Sequence, residues 1–293
     1  IPGGGTGRSF TNEYGYVGVS VVQDELMMEG MNEKGLSAGL FYFPDYGKYE
    51  EYSEANYETN ISDFQLVSYI LGRCATVDEV KAEIARVHIH GFDPRSSTVH
   101  WRFAEPSGRQ IVLEIIDGKC VFYENNLGVL TNSPSFDWQL TNLNNYVNLL
   151  PGRTEPHTIG NMSLSSFGGG SAMVGLPGDF TPPSRFVRAA FFQNTAPQKP
   201  DAEGSVFTAF HILGSMEIPI GAQFPVDETP ADIPSATQCT CVTDMSGLKF
   251  YYRSMYDGGI RCIDLKEIDF KKIGLKSEPL VPSKKEFVHH IRF

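Results

Sequence analysis

A chain of 293 residues, 41% of them hydrophobic, can bury one large core or at most two modest ones. Its 24 Lys and Arg against 35 Asp and Glu leave a formal charge of -11, which opposes nonspecific binding to a polyanion and argues against nucleic acid as a partner. No apolar run reaches the length of a membrane helix, and no basic then apolar leader pattern opens the chain.

Ile1 to Gly7 reads as a loop with no initiator Met, so the sequence is expected to start part way into a longer protein. Tyr14 to Val22, rich in β-branched and aromatic residues, reads as a strand, and Gly35 to Phe43 as another. Asp63 to Cys74 has helical periodicity. Thr76 then caps a second helix, with Glu79 at the reciprocal position of a capping box and Val77, Val80, Ile84 and Val87 on one face. From Thr98 the period changes to two. Thr98 to Ala104, Gln110 to Ile116 and Lys119 to Tyr123 predict a meander, with turns at Ser107-Gly108 and Asp117-Gly118, and Leu127 to Leu130 a further short strand. The pattern weakens between Val147 and Thr181, a Gly-, Pro- and Ser-rich stretch too long to be a bare connection. Ser184 to Phe192, capped by Ser184 or Thr181, and Val206 to Met216 predict helices. Lys249 to Tyr252 and Ile260 to Leu265 predict late strands. Helices followed by antiparallel strands favour a layered α+β architecture over βαβ alternation.

Five scattered cysteines, Cys74, Cys120, Cys239, Cys241 and Cys262, do not form a disulfide framework and point to a reducing, cytoplasmic setting. Cys239 and Cys241 would share a strand face but lack a second pair of metal ligands nearby, so no metal site is expected. The glycine clusters lack the context of a nucleotide-binding loop. No Gly-x-Ser-x-Gly elbow accompanies the seven histidines. His100, beside Trp101 in a strand, reads as a hydrogen-bonded core imidazole. The early carboxylates read as solvated surface.

Two segments carry more. Thr131-Asn132-Ser133-Pro134 places an amide where backbone leaves the sheet. Aimed at a developing oxyanion, such an amide is worth roughly 2.7–4 kcal/mol; otherwise it is a turn-forming Asn bonded to its own backbone. Arg185 and Arg188 lie one helical turn apart and share a face. They either depress the pKa of a nearby thiolate or serve as surface or ion-paired arginines.

Taken together, Met31-Asn32-Glu33-Lys34-Gly35-Leu36, Gly128 to Pro134 and Gly175 to Phe186 resemble signatures of the choloylglycine hydrolases, the family of conjugated bile salt hydrolase and penicillin V acylase. Phe136-Asp137-Trp138 and Cys239-Thr240-Cys241 resemble stretches found there in a similar order. The resemblance runs through nearly the whole chain. It implies a four-layer αββα sandwich of the N-terminal nucleophile hydrolase type, residues 1–293 forming one domain whose first strands are absent from this sequence. It also implies amide hydrolysis by an N-terminal cysteine without a cofactor. Asn132 would contribute to the oxyanion hole and Arg185 would lie beside the nucleophile. Tyr42 would donate the other polar contact or shape the oxyanion region. Bile salt hydrolases commonly have Asn at that position, and penicillin V acylases and some broader-specificity relatives Tyr. Phe41 and Phe43 would meet an apolar acyl group. The cysteine itself has no counterpart here, since Cys74 is internal, and the chain alone is expected to be inactive without that segment beside it. Residues 147–182 resemble an extension used in homotetramers. Tyr42 favours penicillin V or a related N-acyl compound as substrate. A conjugated bile salt is the alternative, and a catalytically inactive binding or structural homologue is the reading of a different class.

Overall fold

The computed structural model describes residues 9–21, 23–93, 96–229, 234–280 and 284–292. The expected loop at Ile1 to Gly7, and Val22 at the end of the first expected strand, lie outside the described residues.

Strands β1 (Tyr16–Val21), β2 (Gln23–Asn32) and β3 (Ser37–Tyr42) run as an antiparallel meander. The turn joining β2 to β3 explains the Met31 to Leu36 motif. Buried Asn32 accepts from the backbone of Lys34 and Leu36, and donates to the carbonyls of Leu71 and Cys74. One side chain thus closes the hairpin and ties it to the helix behind, while Gly35 supplies the positive φ of 84° that the turn needs.

A short strand, β4 (Asn60–Ser62), leads through a helical turn into α1 (Leu66–Leu71), then α2 (Val77–Ile84) and β5 (His88–His90), which pairs with β4 in parallel. Thr76 Oγ1 accepts from Glu79 N at 3.2 Å as the capping box requires, but the Glu79 carboxylate reaches Ala75 N rather than the cap residue. β6 (Val99–Ala104), β7 (Gln110–Ile116) and β8 (Lys119–Glu124) complete a six-stranded antiparallel sheet in the order β1-β2-β3-β6-β7-β8. Asp117 and Gly118 both have positive φ, the tight hairpin expected between β7 and β8. The expected strand at Leu127 to Leu130 does not form. Asn125 accepts from Gly128 N and donates to the Val129 carbonyl, so its side chain takes the groups a ladder would have used.

Helix α3 (Phe136–Asn142) precedes the 147–181 region, which contains an exposed hairpin of β9 (His157–Ile159) and β10 (Met162–Leu164). Then come α4 (Pro182–Thr195), α5 (Ala202–Gly214) and a three-stranded antiparallel sheet of β11 (Cys239–Asp244), β12 (Lys249–Ser254) and β13 (Asp257–Asp264).

Strand alternation sorts the core into layers. Leu36, Ala38, Leu40, Val99, Trp101, Phe103, Ile111 and Leu113 face α1 and α2. On the opposite face, Met31 packs on Phe250 and Leu265, with Cys241 and Tyr252 from the small sheet. That sheet turns Tyr251 and Val242 outward onto Val206 and Phe210 of α5. Helix, sheet, sheet and helix therefore stack in that order. Val112, Phe136, Phe186 and Ala190 bring α3 and α4 against the inner face of the large sheet at β7. No helix among the described residues is long and apolar enough to cross a membrane.

Candidate active site

The site is assembled where the 131–136 turn, the end of β3 and the first turns of α4 converge. Asn132 Nδ2 donates to the Tyr42 carbonyl at 2.8 Å, and Asn132 Oδ1 accepts from Arg185 Nη2 at 2.6 Å. A carbonyl only accepts and a guanidinium only donates, so the two partners fix which way the amide faces. Of the two amide N–H groups, one is committed to Tyr42. The other has no partner among the described residues.

Arg185 is half-buried, and its Nε donates to the Phe180 carbonyl at 3.0 Å. Burial, and then the neighbouring Arg188, hold its pKa below the ordinary arginine value. No carboxylate pairs with it among the described residues, so it is a cation whose charge is free for an incoming anion.

Arg188 shares that helix face but does another job. Buried at 5% exposure, it donates from Nη1 to the carbonyls of Pro177 and Asp179 and so anchors the loop leading to Phe180. Asp179 then braces the start of α4. It accepts from Thr181 N, Thr181 Oγ1 and Ser184 Oγ, bonds that draw its pKa down to about 2. Thr181 stands at the cap position but makes no side-chain cap of its own, and Asp179 is the residue that sequence reasoning passed over. The signal was present, an acidic residue just ahead of a Pro-initiated helix.

Of the three aromatic residues expected here, Phe41 and Phe43 lie on the face of β3 that carries His100. Phe41 meets that imidazole edge-on at 6.1 Å, and Phe43 stacks on it at 4.4 Å, fully enclosed. Tyr42 alternates to the other face and is 49% exposed. What residue 42 presents to Asn132 is its backbone carbonyl, not its phenol. The thiols of Cys239 and Cys241 meet at 3.3 Å on the inner face of the small sheet; their shared hydrogen bond lowers the pKa of Cys239 and raises that of Cys241. Among the described residues no group of three His, Cys, Asp or Glu is arranged to hold a metal ion.

A fixed cation beside an amide with a free N–H can hold a thiolate and then stabilise the oxyanion formed when that thiolate attacks a carbonyl. Comparison with known proteins bears on the same chemistry. The model of linear amide C–N hydrolases, choloylglycine hydrolase family, matches residues 2–278. The chain is 34% identical over 267 residues to a bile salt hydrolase/transferase of Clostridium perfringens, covering 89% of this chain and 79% of that protein. It is 29% identical over 300 residues to a penicillin V acylase of Pectobacterium atrosepticum, covering 92% and 72%. A crystal structure of a variant of the conjugated bile acid hydrolase from Clostridium perfringens superposes with a TM-score of 0.83 at 30% identity, covering 97% of this chain and 86% of that one.

Proposed function

The chain belongs to the choloylglycine hydrolase family of linear amide C–N hydrolases, and on that footing we propose that it cleaves the amide of an N-acyl compound with a cysteine thiolate carried on a segment preceding Ile1. The observation that carries this reading is the Asn132 amide, bridged between Arg185 and the Tyr42 carbonyl with one N–H uncommitted. Arg185 favours the thiolate over the thiol. The thiolate attacks the substrate carbonyl, and the uncommitted N–H of Asn132 meets the resulting oxyanion. The cysteine's α-amine takes up the thiol proton as the thiolate forms, and as that intermediate collapses it delivers this proton to the departing amine. Water then hydrolyses the thioester, releasing the acid and restoring the thiol.

Between the two substrates, the observations favour a conjugated bile salt. Tyr42, the residue that favoured penicillin V, turns its phenol away from Asn132, and the bile salt relative is the more similar of the two compared. Penicillin V is the second reading, supported by the acylase relative and by the shared catalytic parts. Residues 147–182 are read as an extension of a single domain through which copies assemble as a homotetramer.

The test is turnover of a glycine-conjugated bile salt and of penicillin V by the full-length protein carrying its N-terminal cysteine, alongside Asn132→Ala. Cleavage of either substrate, with kcat falling about 10²–10³-fold in the folded variant, is the expected result. Cleavage of neither would leave the inactive-homologue reading. Undiminished activity in the variant would remove Asn132 from the oxyanion site.

A further inference from the structure

Two residues that the mechanism does not use lie directly beneath Asn132. His100 on β6 and Glu114 on β7 are both fully buried, and the His100 Nδ1 lies 3.1 Å from Glu114 Oε1. The same Glu114 oxygen accepts from Phe136 N at 2.9 Å, and the other imidazole nitrogen, Nε2, lies 3.0 Å from the Thr131 carbonyl. Residues 131 and 136 are the two ends of the turn that presents Asn132. One carboxylate therefore holds the far end directly and the near end through the imidazole.

The near end is also tied to the arginine. Thr131 Oγ1 donates to the carbonyl of Pro182, the first residue of α4, three positions before Arg185. Phe43 closes the stack, its ring lying flat on His100 with an interplanar angle of 10°. The hydrogen-bond pattern assigns one proton. Thr131 O can only accept, so Nε2 carries a proton. Glu114 Oε1 accepts from Phe136 N and also meets Nδ1, so one oxygen serves both contacts while Oε2 is buried without a hydrogen-bond partner among the described residues.

We propose that His100 and Glu114 are positioning residues for the hydrolysis, a buried pair that fixes both ends of the 131–136 turn and so sets the reach of Asn132 towards the oxyanion. The inference rests on the amide hydrolase reading above. Its physical basis is that an oxyanion donor is effective only when preorganised, and displacement of about 1 Å costs on the order of 100-fold in rate. Neither residue touches the reacting atoms. Both act by denying the turn any other conformation.

The experiment uses full-length protein bearing its N-terminal cysteine, with Glu114→Ala, Glu114→Gln and His100→Gln compared with the unsubstituted enzyme on whichever amide it cleaves. Glu114→Ala is expected to lower kcat about 100-fold while KM moves less than about threefold, because substrate binding in the ground state does not draw on the oxyanion donor. Glu114→Gln keeps an oxygen for Phe136 N and is expected to recover most of that loss. Variants that melt earlier yet keep an unchanged kcat per folded enzyme would show a purely structural pair and overturn the inference. Should the alanine variant fail to fold, the two glutamine variants carry the kinetic arm. Nitrogen-resolved NMR of the unsubstituted protein adds a measurement independent of the variants' folding, with His100 Nε2 expected to carry a proton held by the Thr131 carbonyl; a bare Nε2 overturns the inference. An unsubstituted enzyme that cleaves no amide marks failure of the hydrolase reading, whereas an active enzyme with unaffected variants marks failure of the positioning pair alone.

Discussion

Asn132 and Arg185 hold each other in place, and the carbonyls of Tyr42 and Phe180 anchor the pair at either end. The guanidinium fixes the amide's orientation, and the amide gives a desolvated cation a neutral acceptor instead of a carboxylate that would cancel its charge. The same contest between burial and bonding sets a pH dependence elsewhere. Asp63 is 1% exposed, with Oδ1 accepting from the backbone of Phe64 and Phe92. Burial outweighs those bonds and raises its pKa from 3.8 to about 6. Between those values the folded protein binds more protons than the unfolded chain, so this residue's contribution to stability falls as pH rises from about 4 to about 6 and is flat above. The loss is on the order of 2–3 kcal/mol. Asp63→Asn keeps an acceptor for both backbone donors and removes the titration, so its stability relative to wild type should climb across that window. Urea midpoints taken at half-unit pH steps check this, and a constant difference between the two proteins would refute it.

At the scale of elements, β2 shows what the sequence could not display. Asp24, Glu25 and Glu29 read as solvated charge, and all three sit in a ten-residue strand; Asp24 and Glu25 are indeed exposed, but Glu29 is half-buried and pairs with Arg102 of β6 across the intervening β3. The residue between them is Gly39, which is in register with Glu29 on one side and Arg102 on the other. Burial raises the pKa of Glu29, and Arg102 opposes that rise. A partner two strands away leaves no periodic trace, so this strand was hidden while the alternating β6, β7 and β8 were legible. The 131–136 turn was legible for a different reason, since its residues are contiguous. Its support was not, because Glu114 is a lone carboxylate inside an apolar strand whose partners come from β6 and from the turn that follows β8. Gly39→Ala tests the crossing directly. A methyl group there would collide with the Glu29 carboxylate and push it off Arg102, at a cost of about 1–3 kcal/mol by analogy with overpacked sites. Denaturant titration reads the loss, and an unchanged midpoint would mean that the ion pair shifts aside freely.

For the whole molecule, the core is closed by stacked layers, while the 147–174 region, like the stretches around 220–226 and 275–291, leaves apolar side chains exposed to solvent. Val147, Leu150, Ile159, Met162, Phe167 and Val174 are all more than 60% exposed, and they fall within a single stretch that includes the β9–β10 hairpin. Scattered exposed apolar residues need no explanation, but six concentrated in 28 consecutive positions (147–174) are the composition expected of a contact surface. A self-complementary patch closes through symmetry, which is how the tetramer in the proposed reading would form. Among the described residues the hairpin also leaves its strand edges without a further strand, and a second copy could satisfy them. Replacing Ile159 and Met162 together with Lys places charge on both strands of the hairpin without touching the layered core. The full-length wild type is expected to run as a tetramer in light scattering coupled to size exclusion, and the double variant as a smaller species with unchanged melting of the layered core. A wild type that is monomeric at tens of micromolar protein would remove the assembly role, leaving the 147–174 surface as an ordered extension of one chain.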